Sequence, residues 1–207
     1  MVKHCLNCQY DNLEFDSIEA SEQDILFFET EELTHVYQIQ EGYVKMVKYL
    51  ENGDERIIGI MVPGDFIALL AVLQNKKTYL ATAVPLSKII VKKIRKEEVF
   101  RKYQSSDLFR DRCLTCAVTR SNTFHNHLVN SANSDIKEKV VNSLKLLYEK
   151  FGRVEDEKQV LDLPFSKTVL ANFIGIRRET LSRTITKLID EQIIYNEKNS
   201  YILNYVI

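Results

Sequence analysis

Between Val36 and Ile94, apolar residues fall in short β-branched runs divided by turn signals. The stretches VYQIQEGYVKMV, YLENGDERIIGIMVPGDF and TYLATAVPLSKIIVKKI read as consecutive strands that turn at Glu41-Gly42, Asn52-Gly53 and Pro63-Gly64. Glycine there supplies the positive φ that a tight turn needs. Short strands at this spacing predict an antiparallel sandwich or barrel. After Phe100 the period changes. Residues 107–130 contain no Gly or Pro, and Leu114, Ala117, Ser121, Phe124 and Leu128 recur at 3-4-3-4 spacing. That pattern predicts one long helix with a narrow stripe suited to a two-helix seam, although packing on the chain's own β-domain would use the same stripe. SANS, residues 131–134, reads as a hinge. A further helix follows with Ile136, Val140, Leu144, Leu147 and Phe151 on one side and Gly152 as its C-cap.

The most specific pattern is KTVLANFIGIRRETLSRTIT, residues 167–186. It predicts a helix, a break at Gly175 and a second helix. Leu170 and Ile174 face inward, small Ala171 permits a close crossing, and Gly175 can take the left-handed conformation of the turn. In the second helix, 177–189, Leu181, Ile185 and Leu188 lie within about 60° of one another, whereas Arg178, Glu179, Ser182, Arg183 and Thr186 occupy a separate arc of about 140°. Arginine donates to guanine O6 and N7, glutamate accepts from cytosine N4, and serine does either. Residues 166–188 hold 5 basic groups, Lys167 and Arg177 among them, against 1 acidic group, which favours phosphates. The pattern predicts a helix-turn-helix that binds double-stranded DNA. QIIYNEKNSYILN, residues 192–204, reads as two strands around a turn, the wing of a winged helix.

Charge sharpens the division. Residues 1–60 hold 4 Lys/Arg against 13 Asp/Glu, a net −9, and residues 61–207 hold 24 against 16, a net +8. The C-terminal part is the one suited to a polyanion. With 45% hydrophobic and 28% charged residues the 207-residue chain can bury a real core. It has no apolar run long enough to span a membrane and no signal-peptide pattern, so a cytoplasmic location is expected. His4, His35, His125 and His127 suggest no catalytic triad, and no enzyme is expected. The expected class is α+β: a sensor β-roll with an N-terminal cysteine segment over 1–106, a dimerisation helix and hinge over 107–133, and a winged helix-turn-helix over 134–207.

In this order of parts the chain resembles the CRP/FNR superfamily of bacterial transcription regulators. RRETLSR is similar to that family's recognition-helix motif, and EGYVKMV and PGDFIALL resemble its β-roll repeats. The resemblance implies a cupin-like roll of the cyclic-nucleotide-binding type and a homodimer joined through the long helix. It further implies a palindromic DNA site with half-sites about one helical turn apart, and RNA polymerase as a partner if the protein activates. Glu179, Ser182 and Arg183 match positions that read a TGA core in the FNR branch. Arg178 matches a guanine-contacting arginine of the CRP branch.

The signal is a separate question. Related cyclic-nucleotide sensors cradle the phosphate with a Gly-Glu pair after PGDFI and a later Arg-Ser pair; here those positions hold Ala68 and Leu69, then Tyr79 and Leu80. A buried phosphate without a cation is too costly, so cyclic AMP is not expected, and a more apolar ligand in the roll stays open. All four cysteines fall in two CxxC pairs, Cys5/Cys8 and Cys113/Cys116. Four thiolates suit tetrahedral zinc or an iron–sulfur cluster, and they equally suit a disulfide tether. HCLNCQ resembles the cysteine segment of FNR-type oxygen sensors, yet the further cysteine of that pattern is lacking. The layout looks closer to the FNR-like proteins of lactic acid bacteria, which implies a thiol–disulfide switch acting on the dimer helix. Thiol–disulfide oxidoreductase chemistry is the rival from another class, but it wants CxxC at a strand-to-helix junction.

Overall fold

The computed structural model describes residues 13–197 and 200–204. The described residues divide into two compact units, one over 13–121 and one from Asn122 onward. The class is α+β.

The first unit is an antiparallel roll of two sheets. One has the order β1 (Asp16–Ala20), β7 (Ile89–Arg95), β2 (His35–Glu41), β5 (Phe66–Ile67); the other has the order β4 (Glu55–Met61), β3 (Val44–Tyr49), β6 (Thr82–Pro85). Helix α1 (Leu69–Leu73) lies between β5 and β6 in sequence, and α2 (Lys96–Ser105) follows β7. Val36, Ile39, Val44, Phe66, Ile67, Ala83, Ile89, Val91 and Ile94 form one buried core. Strict alternation fails on β3 and β4, where Val44 and Val47, and Ile57 and Ile60, are buried three residues apart. A β-bulge between the pairs Met46↔Gly59 and Val47↔Ile57 leaves Ile58 as an extra residue on β4 and resets the phase of that strand.

The anticipated turn glycines all take positive φ: 77° at Gly42, 82° at Gly53 and 92° at Gly64. Gly42 is the most constrained, since a Cβ there would lie 2.3 Å from the Lys88 carbonyl oxygen. Strand β1 is an addition to the sequence reading. It pairs with β7 from Asp16↔Lys93 to Ala20↔Ile89, and Lys92 covers the Phe15 ring at 4.3 Å. Just before it, Leu13 is buried in the roll core.

Helix α3 (Asp107–Ala132) continues from one unit into the other. It therefore runs through the first two residues of the expected hinge, and the chain breaks at 133–135, where Asp135 caps α4 (Ile136–Phe151) by accepting from the Lys137 amide at 2.8 Å. Gly152 is the α4 C-cap as expected, but at φ −81°. Its glycine is required by space instead: a Cβ would lie 2.2 Å from the Tyr148 ring. The hairpin β8 (Gly152–Glu155) and β9 (Lys158–Leu161) comes next, then α5 (Lys167–Ile174), α6 (Arg178–Asp190), β10 (Ile194–Glu197) and β11 (Ser200–Leu203). The wing strands pair as expected from Ile194↔Leu203 to Glu197↔Ser200. Strand β11 also pairs with β9, giving the sheet β10-β11-β9-β8. Among the described residues no helix is long and apolar enough to cross a membrane.

Gly42→Ala should destabilise the roll by at least about 2 kcal/mol, because a left-handed φ and a collision with backbone act together. Chemical denaturation followed by circular dichroism measures it.

Candidate nucleic-acid interface

The C-terminal unit builds its outer face by fixing its inner one. The Ser166 hydroxyl accepts from the Val169 amide at 3.4 Å and starts α5. Gly175 ends it at φ 79° and ψ 40°. The amides of Gly175 and Ile176 both donate to the Ala171 carbonyl, at 2.8 and 3.0 Å, closing the left-handed C-terminal turn. The chain then turns directly into α6. Leu181, Ile185 and Leu188 are enclosed, with α6 packed on α4 and α5 and the buried side chains Leu144, Leu147, Leu170 and Ala171 nearby in the same unit.

With that stripe buried, Arg177, Arg178, Glu179, Arg183 and Thr186 are exposed and Ser182 is half-buried. Lys167, on the first turn of α5, is exposed too. Among the described residues, none of Lys167, Arg177, Arg178, Glu179 and Arg183 enters an ion pair. The far end of α6 is different: Lys187 faces Glu191 at 4.0 Å and Lys137 also pairs with Glu191. Thr186 donates its hydroxyl to the Ser182 carbonyl at 3.2 Å, which leaves its oxygen as an acceptor. Arg177, Arg178 and Glu179 thus stand in solvent at the N-terminus of α6, which itself favours anions, with Arg183 further along the same helix and Lys167 at the start of α5.

The long-helix stripe is also open. Leu114 is 64% exposed, Phe124 52% and Leu128 50%, with Ser121 exposed and Ala117 half-buried. Leu108, Val118 and Val129 on the same helix are exposed as well, but at 100° per residue they lie roughly 80–160° around from the centre of the stripe and stand outside it. Cys113 and Cys116 lie on another face of α3, buried with Phe109 in the roll core that also contains Leu13. Cys5 and Cys8 lie outside the described residues. Among the described residues no cluster of His, Cys, Asp and Glu could hold a metal ion.

The cradle expected for a cyclic nucleotide is filled by other groups. Ala68 adopts φ 69°, a conformation natural to glycine, and Leu69 beside it is buried. At the arginine position, buried Tyr79 stacks on Phe27 with ring centroids 3.7 Å apart. Its hydroxyl accepts from the His35 amide at 3.2 Å and donates to the His35 carbonyl at 3.1 Å. Tyr37, whose ring also stacks on Phe27 at 5.5 Å, has its hydroxyl pushed far above the usual phenol range by burial and by its interaction with Tyr79. These residues do not fit a cyclic phosphate: they offer rings and a committed hydroxyl where a cation is needed.

Two family models match the chain, a cyclic nucleotide-binding domain over residues 18–106 and a Crp-like helix-turn-helix domain over residues 138–205. The chain is similar to the transcriptional activatory protein AadR of Rhodopseudomonas palustris, with 27% identity over 172 residues that cover 83% of this chain and 70% of AadR. The nitrogen fixation regulation protein FixK of Bradyrhizobium diazoefficiens is 26% identical over 171 residues, covering 83% of this chain and 70% of FixK. Among solved structures, FixK2 from Bradyrhizobium japonicum superposes with a TM-score of 0.81 at 18% identity, covering 93% of this chain and 94% of that one. The likeness is one of fold.

Tyr79→Phe keeps the ring stack and removes both hydroxyl bonds to β2. It should lower the stability of the roll by about 1–2 kcal/mol, read as a shift of the denaturation midpoint.

Proposed function

The chain belongs to the CRP/FNR superfamily of bacterial transcription regulators, and from that membership we propose that it binds a palindromic DNA site as a homodimer, each copy reading one half-site through α6. The observation that carries this is the free outer face of α6: three arginines and a glutamate without ion-pair partners among the described residues, on a helix whose opposite face is buried. Arg178, Glu179, Ser182 and Arg183 read base edges in a TGA-containing half-site. Arg177, just before α6, and Lys167, on the first turn of α5, hold phosphates. The open stripe of α3 is the dimer seam, since an apolar row of this size is normally covered. The protein acts in the cytoplasm, and an activating role would add RNA polymerase as a partner.

Regulation runs through sulfur. Leu13 anchors the chain in the same core as Cys113 and Cys116, and Cys8 precedes Leu13 by five residues, an extended reach of about 17 Å. In exchange with a small disulfide, one thiol of each pair loses its proton and the two sulfurs bond, while the oxidant leaves as two thiols. Such a bond ties the N-terminal segment to the helix that sets dimer geometry. Zinc or an iron–sulfur cluster held by the same four thiolates is the competing form of this reading. A β-roll ligand other than cyclic AMP is a second alternative, and the aromatic filling by Phe27, Tyr37 and Tyr79 argues against a roomy site. The oxidoreductase reading is disfavoured by position: Cys113 and Cys116 lie within α3, where that chemistry wants CxxC at a strand-to-helix junction.

On a palindrome of TGA half-sites, Arg183→Ala should cost about 1–3 kcal/mol and relax preference at one base position, whereas Arg177→Ala should weaken all sequences alike and lower the salt slope by about 1. Fluorescence anisotropy across a salt series separates the two. Cyclic AMP should leave these affinities unchanged.

Oxidised protein should be lighter by two hydrogens per disulfide and should differ from reduced protein in DNA affinity, and Cys113→Ser with Cys116→Ser should remove that difference. Intact mass, metal analysis and gel shifts under both conditions decide. A stoichiometric metal would favour ligation over the disulfide.

A further inference from the structure

The last turns of α3 hold a buried contact that the base-reading face does not use. Asn130 donates from Nδ2 to the Lys139 carbonyl at 3.0 Å and to Ser143 Oγ at 2.8 Å, both on α4. Asn130 is buried and Ser143 is wholly enclosed. One turn earlier the His127 ring lies 4.8 Å from the Phe173 ring on α5. In the unit from Asn122, Asn130 and Ser143 are the two buried polar residues among those described. The Oδ1 atom of Asn130 finds no hydrogen-bond partner among the described residues, so the site carries a desolvation cost that an apolar residue would avoid. What an amide supplies, and a leucine does not, is directional bonding that admits one register between two helices.

Around α3, the centre of Asn130 and His127 lies about 110° from the centre of Phe124 and Leu128. One face of these turns is therefore locked to α4 and α5, which carry α6, and another is open. We propose that Asn130, through Ser143 and Lys139, is a positioning residue for DNA recognition: it fixes the seam helix to the helix-turn-helix in one register. This rests on the DNA reading given above. A rigid tie holds the second recognition helix at the second half-site once the first is bound, which raises its effective concentration there. A loosened tie lowers affinity for paired half-sites while each helix still reads its own bases.

The test compares the full-length wild type, Asn130→Ala and Ser143→Ala on two duplexes, one with both TGA half-sites and one with a single half-site. Melting temperature and dimer mass by light scattering check fold and assembly. Asn130→Ala should lose roughly tenfold on the paired duplex and less than about threefold on the single one, and Ser143→Ala should shift the same way by less. Equal losses on both duplexes, or no loss on either, overturn the assignment. If Asn130→Ala does not fold, Ser143→Ala decides by the same ratio. Wild-type protein that binds neither duplex would overturn the DNA reading itself, a result distinct from failure of the tie.

Discussion

The orientation of α6 depends on the enclosure of three side chains. Leu181, Ile185 and Leu188 supply its apolar arc, and burying each contributes about 1.5–3 kcal/mol. Rolling the helix to hide Arg178 or Arg183 would expose that arc and bury guanidinium groups without partners, which costs several kcal/mol more. Both terms favour the same rotation. Gly175 then sets the angle at which α6 leaves α5, because the left-handed turn closed on the Ala171 carbonyl admits one path for the chain. The polar face is outward as a consequence of what lies behind it.

This explains why the helix-turn-helix was legible in the sequence. Its signals are local: a 3.6-residue period, a glycine between two helices and a small residue at the crossing. The hairpin of β8 and β9 was not legible, because on β8 Val154 is exposed and Arg153 and Glu155, two residues apart on that strand, pair with each other. A strand polar on both faces carries no period-2 signal. Strand β1 was hidden likewise: in DSIEA the apolar residues are the half-buried Ile18 and Ala20, too few for a period to show, and its place is set by pairing with β7. In β4 the bulge breaks the alternation that would have shown which side faces the core. The contact of Asn130 with Ser143 lies in a polar run, where nothing marks one amide as buried.

The roll shows how a fold outlasts one chemistry. Ala68 keeps a left-handed backbone that suits glycine, at a cost of about 1–2 kcal/mol, so the bend into α1 is retained although the residue is not. Tyr79 takes the arginine position and ties β2 through His35 while stacking on Phe27. A cation there would have needed a ligand charge to justify its burial. A ring with both hydroxyl bonds made within the protein stabilises the roll without one. The contact is a permanent part of the core, complete without a ligand.

A roll closed in this way moves the question of signal to α3. A disulfide restricts the unfolded chain, and where its geometry is not already met it strains the folded one. Cys113 and Cys116 are enclosed with Phe109 and Leu13, in packing dense enough that small shifts are transmitted rather than absorbed. A sulfur drawn toward a new partner there displaces the helix or its neighbours. On the adjacent open face, Leu114 and Ala117 belong to the stripe through which two copies would meet. Close packing around these thiols is the property that would let their oxidation reach a dimer interface.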